Sequence, residues 1–172
     1  MKKKYILWSS LPVFILLSFI FLPLQTFLVI EPRNDGKPAY FSSSSNTTFS
    51  IRYTHSIHLS EVEEFYRQTS SNKIQQTKLL YEDTAIGMPS NAEDEEVFER
   101  TKDGRYQISN MNRRFTYIDI RIGQVVANHR IVYEDNVYPF KDYFKEGSVV
   151  RVQYKKVSLF NQWRGVIVVG KR

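Results

Sequence analysis

Three histidines, one internal glutamate and one arginine are the side chains with the most chemical reach in this chain. His55 falls in the run Thr48–His58, where Phe49, Ile51, Tyr53, His55 and Ile57 alternate with Ser50, Arg52, Thr54, Ser56 and His58. A two-residue period is that of a half-buried strand. It places His55 on the apolar face and His58 on the other, so the two are not expected to chelate one ion. Glu64 is the natural partner of His55 if the following segment pairs antiparallel. A His–Glu pair would hold two strands in register or orient a ligand-binding imidazole. The sharper alternative joins His55, Glu64 and His129 as a zinc site, since two histidines and a carboxylate suffice for that metal. No short-spaced ligand motif supports it. The plain alternative is a buried neutral imidazole satisfied by a carboxylate or carbonyl.

Other chemistries lack their signatures. Ser56 adjoins His55, and neighbours on a strand face opposite ways. With no Gly-x-Ser-x-Gly elbow, serine hydrolysis is not expected. The chain has no cysteine, which removes disulfides, thiolate catalysis and cysteine zinc sites. Glu93–Glu96 is acidic but lacks calcium-loop spacing and reads as a solvated loop. Arg113–Arg114 and Lys155–Lys156 are paired cations suited to an anionic solute, lipid headgroups or plain solubility. No cofactor is expected. Trp163 reads equally as a cap on the core or as an exposed contact.

The elements that must position these residues follow an anchor. Lys2, Lys3 and Lys4 precede an uncharged stretch that ends before Glu31. Residues Tyr5–Gln25 are long enough to cross a bilayer as a helix, and the lysines put the N-terminus inside and the C-terminus outside. Pro12 and Pro23 are tolerated in such a helix. No small-x-small site follows, so a retained anchor is expected over a cleaved signal. Residues 1–4 are then a cytoplasmic basic tail, 5–25 a transmembrane anchor and 27–172 an extracytoplasmic β-rich domain. The domain's basic residues, set apart from the three lysines, barely exceed its 18 acidic ones and are interleaved with them. Nucleic-acid binding, which wants a dense basic stripe, is not expected.

Downstream, the punctuation is that of a β protein. Phe27–Ile30 reads as the first strand, Asn34–Lys37 as a turn and Pro38–Phe41 as the return strand. Further strands are expected around Lys73–Thr84, Tyr106–Ser109, Phe115–Ile122, Gln124–Tyr133, Val149–Phe160 and Val166–Val169. Val62, Glu64 and Tyr66 are expected to share a face. Residues Val137–Phe144 read as a short helical turn. The fold class is mainly β: an N-terminal transmembrane helix, then a compact antiparallel sandwich or partly open barrel with one short helix.

The order His55-Ser56-Ile57, Ser60-Glu61-Val62-Glu63-Glu64 and Gly87-Met88-Pro89 resembles the domain of unknown function 1850 family. That family carries a histidine-serine-valine segment, a threonine-proline-valine-x-glutamate segment and a glycine-alanine-glycine-x-proline turn. Glu61 stands where proline is expected, and Ala85 and Ile86 replace a glycine and an alanine. Asn128-His129-Arg130 also looks familial. The resemblance, which runs roughly over Phe27–Tyr154, marks His55, Ser56, Glu64, Gly87, Pro89, His129 and Arg130 as a ligand-binding or structural polar cluster. It implies a small exported or membrane-anchored bacterial protein that accompanies tripartite ATP-independent periplasmic (TRAP) transporters. Its partners would be the permease or the solute-binding protein. Three readings stay open: a non-catalytic accessory or binding domain, a metal-dependent enzyme using the His/Glu cluster, and a cell-envelope scaffold.

Overall fold

The computed structural model describes residues 18–84 and 87–169. A helical end at 18–21 leads, through Leu22–Leu24, into a chain that is almost wholly strand. Two sheets hold the thirteen strands of the described residues. The first sheet runs β13 (Val166–Val169), β2 (Ala39–Ser42), β1 (Gln25–Pro32), β12 (Val149–Val157), β9 (Ile118–Arg121). The second runs β11 (Asn136–Pro139), β10 (Arg130–Tyr133), β3 (Thr48–Thr54), β4 (Glu61–Gln68), β5 (Ile74–Tyr81), β7 (Tyr106–Ser109), β6 (Val97–Arg100). The short β8 (Arg113–Phe115) pairs with the first half of β5. Every pairing is antiparallel except that of β13 with β2.

Alternation in the sequence builds the core. Leu28 and Ile30 of β1, Phe41 of β2, and Val150, Val152 and Tyr154 of β12 meet Phe49, Ile51 and Tyr66 of the second sheet in one buried cluster. A second cluster gathers Val62, Leu79, Tyr81, Ile108 and Met111. β1 departs from alternation because both of its faces are covered. Phe27 and Val29 point outward and are buried with Tyr40 and Val157. The cover is a short helix, α1 (Leu159–Trp163), capped by Ser158, whose side chain accepts from the Asn161 amide. The Tyr40 hydroxyl donates to the Asn161 carbonyl at 3.2 Å.

The two ends of the molecule differ. β1 starts, and β12 ends, beside the helical residues 18–21 and α1. Thr47, just before β3, belongs to this same end: Tyr154 and Tyr133 donate to the carbonyls of Thr47 and Ser42. β3 then carries the chain away, over seven residues or roughly 20 Å. The histidines lie at that far end.

Several sequence expectations need correction. The first strand begins at Gln25, two residues before Phe27. Within residues 137–144 the expected helical turn is present at Phe140–Asp142 as a 3-10 turn, but its start is strand, because Val137 and Tyr138 of β11 pair with β10. A short α-helix lies in addition at Leu159–Trp163, where the sequence reads as strand but β12 stops at Val157. The run Phe115–Ile122 is divided between sheets, β8 joining β5 and β9 joining β12. Gln124–His129 is a loop, and only Arg130–Tyr133 is strand. No helix among the described residues is long and apolar enough to cross a membrane. The expected anchor falls largely on residues 1–17, outside the described residues.

Candidate functional site

The β3–β4 ladder ends at the Thr54–Glu61 pair. The connecting loop is closed by hydrogen bonds from His55 N to Ser60 O at 2.8 Å and from Leu59 N to His55 O at 2.9 Å. Strand alternation therefore stops before His55. In the turn the rings of His55 and His58 stack, 5.3 Å apart and 19° from parallel. The expected placement on opposite faces is overturned, because it assumed a strand through residue 58. His58 Nδ1 lies 3.5 Å from an Asp83 carboxylate oxygen. His55 Nδ1 and His58 Nε2 are buried without a protein hydrogen-bond partner. Gly87, at φ +91°, faces this corner: a Cβ there would stand 3.7 Å from His55 Nε2. Pro89 is tied in by a hydrogen bond from the Tyr81 hydroxyl to its carbonyl. Ala85 and Ile86, the departures from the family's turn, lie outside the described residues. Ser56 is exposed.

Glu64 does not join His55. The strands pair antiparallel as expected, but the register sets Glu64 opposite Ile51, four residues or about 13 Å along the strand from His55. Its carboxylate accepts instead from the Tyr66 hydroxyl at 2.8 Å. Val62, Glu64 and Tyr66 share the inward face, as their spacing implies. Burial raises the Glu64 carboxyl above its ordinary range, and the Tyr66 bond partly opposes this. The neighbouring Tyr53 phenol is pushed up to about 12 by burial and by the charge of Glu64. His129 stacks on Tyr53 at 5.3 Å and receives the Gly123 amide on Nδ1 at 3.3 Å. Burial lowers its pKa, so it is a neutral imidazole at pH 7. Among the described residues, no three His, Asp or Glu side chains gather closely enough to hold a metal ion. Tyr53 lies beside both Glu64 and His129, whereas His55 stands apart in the turn with His58.

Arg130 takes the opposite face from His129, and its partners went unnoticed in the sequence. Its Nη2 meets Glu61 at 2.7 Å. Glu61 also approaches Arg52 at 3.5 Å, and Arg52 meets Glu63 at 3.0 Å. Ser50 donates to the other oxygen of Glu63. Ser50 and Glu63 are buried although they lie on the outer face of the sheet. The signal was present: positions 52 and 63 are equidistant from the turn, so an arginine and a glutamate there must meet across a hairpin. Ser50, Arg52 and Glu63 line part of an open groove of about 970 Å³. Loop 44–48, Ser109–Asn110 and Glu134–Asp135 form its rim. Lys78 crosses it over the Phe65 ring, 3.9 Å from the centroid. The acidic run closes on itself elsewhere, Arg113 bridging Glu93 and Glu96 at 3.1 and 3.2 Å.

These features define a small two-sheet β protein with a polar groove on one outer face and a histidine pair at the end of one hairpin. The chain belongs to the DUF1850 family, a domain of unknown function, whose family model matches residues 49–140. That span contains nearly all of the second sheet, the histidine corner and the groove-forming strands. No curated protein and no solved structure matches the chain.

Proposed function

We propose that the chain is a membrane-tethered, extracytoplasmic binding domain of β-sandwich form. It works beside a TRAP-type solute transporter and catalyses no reaction itself. The observation that carries this reading is the groove over Ser50, Arg52 and Glu63. In its floor Ser50 and Arg52 already hold Glu63, which fixes these rotamers before any partner arrives. Paired in this way, the groups are suited to recognition, where prior order lowers the cost of binding. The apolar segment 5–25 behind three lysines supplies the tether and its direction. β1 begins at Gln25, so the domain sits close to the membrane, within reach of a membrane subunit.

The test is co-expression of the full chain with a TRAP permease and its solute-binding protein, followed by detergent purification. The transporter should co-purify with the native chain. Arg52→Glu, which places a carboxylate against Glu63 in the groove floor, should weaken recovery of the transporter by about tenfold or more, a like-charge contact costing several kcal/mol. Recovery of no transporter component with a folded chain would sink the proposal. The metal-dependent reading has less behind it, because Glu64 is engaged by Tyr66 and His129 by Tyr53. Metal analysis of the purified chain, with a zinc titration, decides that question separately.

A further inference from the structure

Exposed apolar residues occur at several places on this molecule, Ile57, Leu59 and Val125 at the histidine end among them, and one group lies where the chain enters the domain. Leu159 and Trp163 sit four apart on α1 and so share one face, and Trp163 is 83% exposed. Phe160, between them, touches Phe21 with ring centroids 5.0 Å apart. Phe19, Phe21, Leu22 and Leu24 are themselves exposed, and they continue the apolar run that precedes the domain. Beside α1 lies a pocket of about 330 Å³, lined by Lys155, Lys156 and Arg164 as well as Glu31. Lys155 is paired with Glu31 at 2.7 Å. Lys156 makes no ion pair among the described residues, and Arg164 stands over the Phe160 ring. A cation excess next to an exposed tryptophan is the composition that favours an anionic bilayer surface.

We infer that α1 is a second membrane contact: Leu159 and Trp163 enter the headgroup boundary, and Lys156 and Arg164 take the phosphodiester of an anionic lipid in the adjoining pocket. This rests on the tether proposed above, because the occupant is argued from where the apolar N-terminal segment leaves the membrane. A single helix leaves a domain free to swivel. A second contact against the end of β12 fixes its attitude, with the histidine end held away from the bilayer and the groove held to the side.

The experiment uses the full chain with Trp8→Phe, so that Trp163 is the one indole. The protein is reconstituted into phosphatidylcholine–phosphatidylglycerol vesicles carrying bromine on the acyl chains near the headgroup. Seated roughly 5–10 Å into the boundary, Trp163 should lose about half of its emission to the bromines and shift to the blue. In pure phosphatidylcholine the quenching should be weaker. Lys156→Glu should reduce the docked fraction in anionic vesicles several-fold, a basic residue there being worth about fivefold, with an unchanged melting temperature. Flotation of the same samples separates the two claims. A chain that floats with the vesicles while Trp163 stays unquenched and red-shifted overturns this inference and leaves the tether standing. A chain that does not float contradicts both.

Discussion

At the residue scale, the carboxylates of this domain do different work. Glu63 is held by Ser50 and Arg52 on the outer face. Its replacement, Glu63→Gln, weakens two charge-assisted hydrogen bonds and leaves Arg52 short of a partner. The expected cost is about 1.5–3 kcal/mol, read by urea unfolding of the domain. Glu64 faces inward and keeps its proton to a higher pH than an unfolded glutamate does. The folded chain therefore binds more protons than the unfolded one between the two pKa values, so stability falls as pH rises through that window. Glu64→Gln preserves an acceptor for Tyr66 and removes the penalty. Its melting temperature should exceed the native one at neutral pH and converge with it in acid. His129 acts in the opposite sense. Its folded pKa lies below 6.5, so stability is lost as pH falls below 6.5 toward the folded value. His129→Phe, which keeps a ring on Tyr53, should flatten that acid-side loss in melts across pH 5–7. Most of these residues were visible in the sequence as chemical candidates. Their grouping was not, because a one-residue parity decides whether a side chain joins the core or the groove. His129 and Arg130 are neighbours in sequence and lie on opposite faces.

At the scale of elements, alternation was a reliable guide wherever a ladder persists. The inward faces of β3 and β4 follow directly from Phe49, Ile51, Tyr53 and Val62, Glu64, Tyr66. It failed where the ladder stops. His55 and His58 meet because the chain turns at Thr54, and hydrophobic period alone does not mark that point. α1 was hidden for a different reason: Val149–Phe160 keeps an apolar period past the end of β12, and only the Ser158 cap separates strand from helix. The seat of α1 depends on a close approach at Gly165. A Cβ there would lie 2.3 Å from Tyr40 Cε2 and 2.7 Å from the Pro38 carbonyl oxygen. Gly165→Ala should cost about 1–3 kcal/mol through overpacking. It should also expose the Phe27–Val29–Tyr40 face, which binding of a hydrophobic dye would reveal.

At the scale of the whole molecule, the family match divides the two sheets unequally. The family model covers residues 49–140, whereas β1, β2, β12 and β13 lie beyond it. The matched part carries the groove and the histidine corner. The remainder closes the core and faces the proposed membrane side. On the proposed reading, recognition belongs to the second sheet and attachment to the first. This division was not legible in the sequence, since strand order brings β1 against β12 across more than a hundred residues. On this account, alkaline carbonate washing of membranes from expressing cells should leave the chain in the pellet, and added protease should digest the domain only from the outer side.

The central claim is that the groove on the second sheet meets a transporter component. Site-specific photo-cross-linking in intact cells tests it most directly, with the reactive residue placed at exposed Asn110 on the groove rim and, as control, at exposed Lys37 near the turn after β1. The account predicts an adduct with a TRAP permease or solute-binding subunit from position 110 and none from position 37. Equal adducts from both positions, or none from position 110 in a folded and membrane-bound chain, would contradict it.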